Sequence, residues 1–500
     1  MAETSAVDWR ELAGVSLKNT MKLKQLKLRY YRCFREIKID LDQSVIVMVA
    51  ENGQGKSALL DAIRVGLWPF INAFDLARST TYNDPANGIA ISDVRMERSK
   101  DGSMVRQLPV EIELSADWGD SSLPMKMMPN TWTRYLESER PNTKTRNDDQ
   151  AKSVVKHAAT LQKMVRDPKT EPIDLPVFGY YGTGRLWTQK KLTETKSNKN
   201  DDTDGDDFDM RTFAYRNCMD PASSYKHFRE WFIIAWRNRA NMDYLSSPGE
   251  QEVRQSNERI EVVQEAINTF LKETTGWHSL EVTEAKQEAE LFLNHPEQGK
   301  LNVDQLSDGI RGVLALVGDL AHRCVKLNRH LGNKAATDTS GVVLIDEVDM
   351  HLHPRWQQVV VAQLTDAFPN IQFIVTTHSP QVLTTVHSKS IRLIKKCYGS
   401  DAESPENGAE TPAYQVKGTP SSDALIHLMG TNPQPDVEEA RWVADYTAAI
   451  ENGVHDAPDG RALRKKLLDF YGHQHPVILD ADKLIRFQAF KLRRQKPKED

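Results

Sequence analysis

VIVMVAENGQGKS, residues 45–57, joins a short apolar run to a glycine-rich turn and opens onto ALLDAIRVGL, where Leu59, Leu60, Ile63 and Leu67 recur at helical spacing. The apolar run reads as a buried parallel strand. A strand–loop–helix junction of this composition suits phosphate: Gly53 and Gly55 let backbone N–H groups curl around phosphate oxygens without a Cβ in the way. Asn52 and Gln54 fill out the loop, Lys56 would reach the β- and γ-phosphates, and the Ser57 hydroxyl would coordinate Mg²⁺. The helix N-terminus adds its own positive end. Ala50 stands where the pattern GxxxxGK[ST] has its first glycine, a change that costs little at negative φ.

Three further segments extend this site. GVVLIDEVD, residues 341–349, is an apolar strand that ends in adjacent acids, Asp346 and Glu347. Like charges in a crevice cost energy unless a cation sits between them, so the pair reads as a metal ligand, Asp346, beside a group that polarises water, Glu347. VDQLSDGIRG, residues 303–312, precedes a helix whose apolar positions run from Ile310 to Cys324. Ser307 or Asp308 would cap that helix, and Ser307 with the N–H of Gly309 would bind a γ-phosphate held by a second subunit. IQFIVTTHSP, residues 371–380, is another buried strand and delivers His378 at its end. With GVVLID it flanks a helix opened by Pro354, a βαβ unit that brings His378 towards Glu347.

In this order, AENGQGKS, LSDG, LIDEVDMHLHP and TTHSP resemble the Walker A, signature, Walker B with D-loop, and switch-histidine motifs of ABC-type AAA family ATPases. The HLHP continuation resembles the branch containing the overcoming-lysogenisation-defect (OLD), RecF and SMC-like proteins. Within it, YYGTGRLW, VDQLSDGIRG and LMGTNPQP resemble the PtuA ATPases of Septu and retron-associated antiphage systems. The motifs span residues 21–390. The resemblance implies an α/β fold: a P-loop ATPase head with a mixed N-terminal sheet, a parallel core sheet with flanking helices, a helical insertion and a small helical C-terminal region. It implies ATP and Mg²⁺ as cofactors and a homodimer through the ATP sites, assembling further into a higher homo-oligomer. Asp349 would be the D-loop acid that meets the opposite subunit, and Arg32 in YRCF matches a position near nucleotide. No glutamine is assigned to the Q-loop; Tyr180 and Tyr181 lie near that region. The implied partners are a PtuB-like HNH nuclease and, in some systems, a retron reverse transcriptase with its RNA–DNA hybrid, with DNA or RNA contact left open.

The remaining sequence frames these expectations. At 500 residues the chain needs more than one lobe. It divides into an extension (1–20), an N-terminal ATPase lobe (21–190), a disordered acidic loop (189–209), a helical insertion (210–300), a C-terminal ATPase lobe (301–400) and a helical partner-binding region (401–500). A net charge of −5 advertises no global attraction to nucleic acid. Cys33, Cys218, Cys324 and Cys397 form no metal-ligand spacing and read as free thiols of a reducing cytoplasm. With no signal peptide and no run near the roughly 20 apolar residues of a span, a cytoplasmic protein is expected, without membrane contact. A self-contained OLD-type nuclease is the first alternative; it would place Asp480 and Asp482 of PVILDADKLIRF at a metal, whereas the same residues read as the start of a helix. A RecF- or SMC-like repair ATPase is the second, although the insertion lacks the long heptads of a coiled coil. HLH at 351–353 and HQH at 473–475 have no second ligand pair for zinc.

Overall fold

The computed structural model describes residues 21–77, 87–119, 123–186, 210–221, 224–242, 250–285, 288–394 and 409–495. The N-terminal extension and the acidic loop of 189–209 lie outside them. The chain divides into two compact units, Met1–Ala424 and Leu425–Asp500.

The alternating pattern from Met21 to Leu41 forms β1 (Lys22–Tyr31) and β2 (Phe34–Asp40), an antiparallel pair in the register Leu26↔Ile39 and Leu28↔Ile37. All four of these side chains face the core. β3 (Val45–Val49) follows and feeds helix α1 (Lys56–Ile71). A small hairpin of β4 (Met96–Arg98) and β5 (Met104–Arg106) precedes β6 (Val110–Asp117), β7 (Thr131–Leu136) and β8 (Arg146–Asn147). These last three complete a five-stranded sheet ordered β2-β1-β6-β7-β8. Helix α2 (Asp149–Arg166) is capped by the Asp148 carboxylate, which accepts from Ala151 N–H at 2.6 Å.

The second sheet carries the motifs. Its strands are β9 (Val177–Tyr181), β13 (Gly341–Ile345), β14 (Ile371–Thr376), β15 (Ile391–Ile394) and β16 (Ala409–Glu410), with β3 in their midst. The order is β9-β13-β14-β3-β15-β16, parallel throughout except for β16. β9, β13 and β14 are buried along their whole length, as continuous apolar runs in a parallel sheet require. Gln372 on β14 ties the two sheets: its side chain accepts from Leu23 N–H at 2.7 Å and donates to Leu23 O and Gln43 O, each at 3.0 Å. Helix α1 lies against β6 so closely that a Cβ on Gly66 would meet Leu114 Cδ1 at 2.4 Å. Trp132 Nε1 donates to Gly66 O at 2.7 Å and holds that approach.

The insertion comprises α3 (Ser224–Met242), α4 (Glu250–Thr275) and a three-stranded sheet of β10 (His278–Ala285), β11 (Glu288–His295) and β12 (Gly299–Asn302). It packs on α5 (Asp308–Leu327). The helix expected to open at Pro354 is broken in two, Pro354–Gln357 and α6 (Val360–Ala367). Gln357 Nε2 turns back to donate to Leu352 O at 2.9 Å, and Val359 N–H bonds Trp356 O in a tight turn.

In the unit Leu425–Asp500, helices α7 (Glu438–Glu451), α8 (Pro458–Tyr471) and α9 (Pro476–Gln495) close on Tyr446, Ile450, Leu467 and Ile478. Asp480 and Asp482 lie on α9, as the helix reading of that segment expects. Asp482 is paired with Arg464 at 2.8 Å and Asp480 with Lys483 at 2.7 Å.

One buried ion pair joins α5 to the parallel sheet. Arg323 Nε donates to Asp319 Oδ2 at 2.7 Å, and the Tyr181 hydroxyl donates to the same oxygen at 2.8 Å. The pair's side chains are 5% and 1% exposed. Removing one partner strands a buried charge, so Arg323→Met is expected to destabilise the Met1–Ala424 unit by about 3–5 kcal/mol in a denaturant titration. A loss under about 1 kcal/mol would mean the carboxylate finds another partner or a proton.

Candidate functional site

The C-terminal ends of β3, β13 and β14 lie side by side, and the segments leaving them meet. Gly53 and Gly55 adopt φ of 78° and 90°. Gly55 is the N-cap of α1, and a Cβ there would come within 2.5 Å of Cys33 Sγ and 2.6 Å of Phe34 Cζ. A side chain at 55 is therefore excluded twice, by backbone conformation and by space. Around Gly53 there is nothing within 4 Å, so its glycine answers to conformation alone. Asn52 and Gln54 complete the loop, and Gln54 N–H bonds Glu51 O at 3.3 Å.

Lys56 is buried and donates across the loop to Ala50 O at 2.8 Å and Glu51 O at 3.3 Å. Burial pulls its pKa down, while the charges of Asp346, Glu347 and Asp349 push it back up. The ammonium thus faces the three carboxylates the sequence singled out.

Asp346 is the hub. Its Oδ2 accepts from Ser57 Oγ at 2.8 Å and its Oδ1 from Thr376 Oγ1 at 2.5 Å. Its backbone N–H bonds Tyr181 O at 2.8 Å, which fixes the start of the turn to β9. Glu347 takes a left-handed conformation, φ 49°, unusual for a residue with a Cβ. Its N–H donates to Thr376 Oγ1 at 2.8 Å, and the next N–H, of Val348, bonds Thr376 O at 3.0 Å. The Asp349 carboxylate accepts from the hydroxyl of Thr377, which itself accepts from Ser379 N–H at 2.9 Å. His378, half-buried, follows Thr377 just beyond the end of β14.

The set fits Mg·ATP. Three carboxylates against one ammonium leave two negative charges in a small space, a balance that a divalent cation offsets. Ser57 Oγ and Asp346 Oδ2, already 2.8 Å apart, are the hard oxygen donors that Mg²⁺ prefers. The glycine loop at the N-terminus of α1 supplies backbone donors for phosphate.

The signature segment is built differently. Ser307 is the N-cap of α5 but makes no capping hydrogen bond through its side chain. Ser307 and Asp308 are exposed, and Asp308 pairs with Arg311. Gly309 is buried, and a Cβ on it would stand 2.6 Å from His351 O. The loop that follows Glu347 and Asp349 therefore packs directly on the signature glycine of the same chain.

Arg32 has its side chain committed elsewhere. Nη1 bonds Asp61 at 2.7 Å, on α1 one turn beyond Ser57, and Nε bonds Asp93 at 2.8 Å. As it stands it anchors the β1–β2 turn to α1, and a nucleotide contact would require these ion pairs to open. The histidines of HLH have local roles: His351 takes φ 61°, and His353 Nδ1 accepts from Arg355 N–H at 3.2 Å as a helix cap. Thr376 and Thr377 were not singled out in the sequence. Their signal is the pair of threonines that follows the apolar run Phe373–Val375 just ahead of a histidine.

Comparison with known proteins finds relatives along most of the chain. An AAA domain family matches residues 25–275, half of the chain. A second AAA domain, whose description also names the AbiEii toxin and a type IV toxin–antitoxin system, matches residues 222–384. Retron Vc95 probable ATPase of Vibrio cholerae is 26% identical, covering 93% of this chain and 90% of its own length. Retron Ec83 probable ATPase of Escherichia coli is 24% identical over 94% and 88%. The Septu protein PtuA of Bacillus mycoides is 47% identical over a shorter stretch, 27% of this chain and 18% of its own. Among solved structures, an SMC head domain from Pyrococcus furiosus bound to the C-terminal domain of ScpA superimposes with a TM-score of 0.41 at 14% identity, covering 74% of this chain and 93% of that one. On the family match, which spans half of the chain, the chain belongs to the AAA-domain ATPases.

Proposed function

We propose that this chain is the ATP-hydrolysing regulatory and scaffold subunit of an antiphage defence complex, its nucleotide state gating an HNH nuclease of the PtuB kind. The observation that carries the reading is Asp346 held between Ser57 and Thr376, a complete hydrolytic half-site, in a chain whose full-length relatives are named as retron ATPases. The likeness to Septu PtuA supports the nuclease partner. A retron reverse transcriptase with its RNA–DNA hybrid is the further partner this reading includes.

Within one protomer, the loop of Asn52 to Gly55 would cradle phosphates, Lys56 would neutralise them, and Ser57 and Asp346 would hold Mg²⁺. The ion would supply charge neutralisation at the phosphates. Glu347 would take a proton from the attacking water as its oxygen bonds the γ-phosphorus and the bond to the β–γ bridging oxygen breaks, releasing ADP, and His378 would contact the γ-phosphate and that water. Ser307, Asp308 and Gly309 complete the site of a second copy, with Asp349 crossing between them. Two copies thus close over two nucleotides, and that closure is the signal passed to the nuclease. Among the described residues no helix is long and apolar enough to cross a membrane.

Glu347→Gln keeps the shape and removes the base. ATP affinity by calorimetry should hold while kcat falls about 10²–10⁴-fold, and light scattering should find an ATP-stabilised dimer. Unchanged turnover would remove Glu347 from the reaction. Ser307→Arg tests the shared site: each protomer should still bind ATP, yet hydrolysis and ATP-driven dimerisation should both be lost. Hydrolysis that survives as a monomer would place the complete site in one chain. The complex itself is tested by affinity purification with the native neighbouring genes, comparing wild type with Lys56→Ala. A stoichiometric nuclease whose DNA cleavage responds to ATP only with wild type is expected; a chain that purifies alone, or cuts DNA alone, would overturn the gating role.

A further inference from the structure

We infer that Thr376 is a positioning residue of the ATPase reaction, acting through its hydroxyl on both acidic residues of the site. It is fully buried, at the last position of β14. A threonine hydroxyl has one proton to donate and lone pairs to accept with. Here the proton goes to Asp346 Oδ1 at 2.5 Å, and the oxygen receives Glu347 N–H at 2.8 Å. The same residue's carbonyl receives Val348 N–H at 3.0 Å. One residue thus grips three consecutive positions of the neighbouring turn.

The consequence is specific to the two acids. Asp346 has a hydroxyl on each oxygen, Ser57 on Oδ2 and Thr376 on Oδ1, so its carboxylate plane is fixed. Glu347 sits at φ 49°, a conformation that a residue with a Cβ keeps only when its surroundings over-determine it. The N–H bond to Thr376 Oγ1 holds that backbone together with the Val348 N–H bond to Thr376 O and the Met350 N–H bond to Glu347 O, and it is the side-chain bond among these three; the backbone aims the Glu347 side chain. β-Branched apolar residues suit a buried strand equally well, so shape alone would accept valine at 376. The hydroxyl is what the site requires.

The test separates hydroxyl from shape. Thr376→Val keeps volume and branching and loses both hydroxyl bonds; Thr376→Ser keeps the hydroxyl and loses a methyl. Single-turnover hydrolysis, Mn²⁺ binding in the presence of ATP by electron paramagnetic resonance, and metal-free ATP affinity by calorimetry are measured on the full chain, with melting temperature as the check on folding. Partners that orient metal-site ligands are worth about 10–100-fold, so Thr376→Val should lose that much in hydrolysis rate and in Mn²⁺ affinity, while metal-free ATP affinity changes less than about threefold. Thr376→Ser should stay within about threefold of wild type on all three. The Ser and Ala variants differ by the hydroxyl alone, so Thr376→Ala repeats the comparison if the valine variant does not fold. A Ser variant as slow as Val or Ala, or a Val variant with wild-type rate and Mn²⁺ affinity, would overturn the inference. Lys56→Ala is the control: if metal-free ATP affinity does not fall there, the nucleotide site itself is misassigned.

Discussion

The Asp346 carboxylate, buried and gripped from both sides by hydroxyls, is the constraint on which this fold converges. Its two partners come from opposite directions: Ser57 from the helix that follows β3, and Thr376 from the end of β14. Because β14 lies between β3 and β13 in the sheet, the three strands must end on the same side and in register for both bonds to form. A slip of one residue in any parallel register would turn the end side chains to the other face of the sheet. The continuous burial of β13 and β14, and the glutamine tie from Gln372 to the outer strands, are what hold the ends level.

The same economy governs the second half of the site. Gly309 is pressed against His351 O, so the signature segment rests on the turn that begins with Glu347 and Asp349. Further along α5, Asp319 and Arg323 reach Tyr181, whose carbonyl in turn accepts the Asp346 N–H. Helix α5 therefore meets the loop after β13 at its N-terminus, through Gly309, and meets β9 at its middle, through the Tyr181 hydroxyl on Asp319. A movement of Ser307 relative to Asp346 would have to shear packed helix and strand, and packed interiors resist gradual deformation. Two discrete arrangements are the natural response to a ligand in such a joint.

Much of this was legible in residues 45–57, 303–312 and 341–380. The phosphate loop and the acid pair could be read because their chemistry is local: glycines where backbone must approach an anion, adjacent carboxylates where apolar sequence ends. The alternation of residues 21–41 likewise gave two strands with the correct faces. What could not be read is what depends on pairing across long stretches of chain. Thr376 and Thr377 look like ordinary strand residues, since threonine suits a sheet whether or not its hydroxyl is used. Asp319 and Arg323 stand one turn apart on a helix, the spacing of a common surface pair; only Tyr181, distant in sequence, shows that they are buried. Arg32 was read for its motif, and its commitments to Asp61 and Asp93 come from the fold. The break before Val360 leaves no mark in the sequence: the Pro354 start signal is real, but after one turn Val359 N–H bonds Trp356 O in a tight turn in place of the next helical bond.

The arrangement also limits what ATP can do. If closure needs two nucleotides, each protomer contributes the loop for one and Ser307 for the other, so neither site is complete alone. Binding at one then raises affinity at the other by the same factor in both directions, because coupling between sites is reciprocal. The ATP dependence of hydrolysis should accordingly steepen as protein concentration falls, when dimerisation rather than loop filling becomes limiting. A partner that binds only the closed pair would lower the ATP concentration needed for closure, and one that binds the open chain would raise it. On the proposed function, whether the nucleotide activates or restrains a bound nuclease would be decided by which of the two forms the nuclease prefers, and not by the chemistry at Glu347.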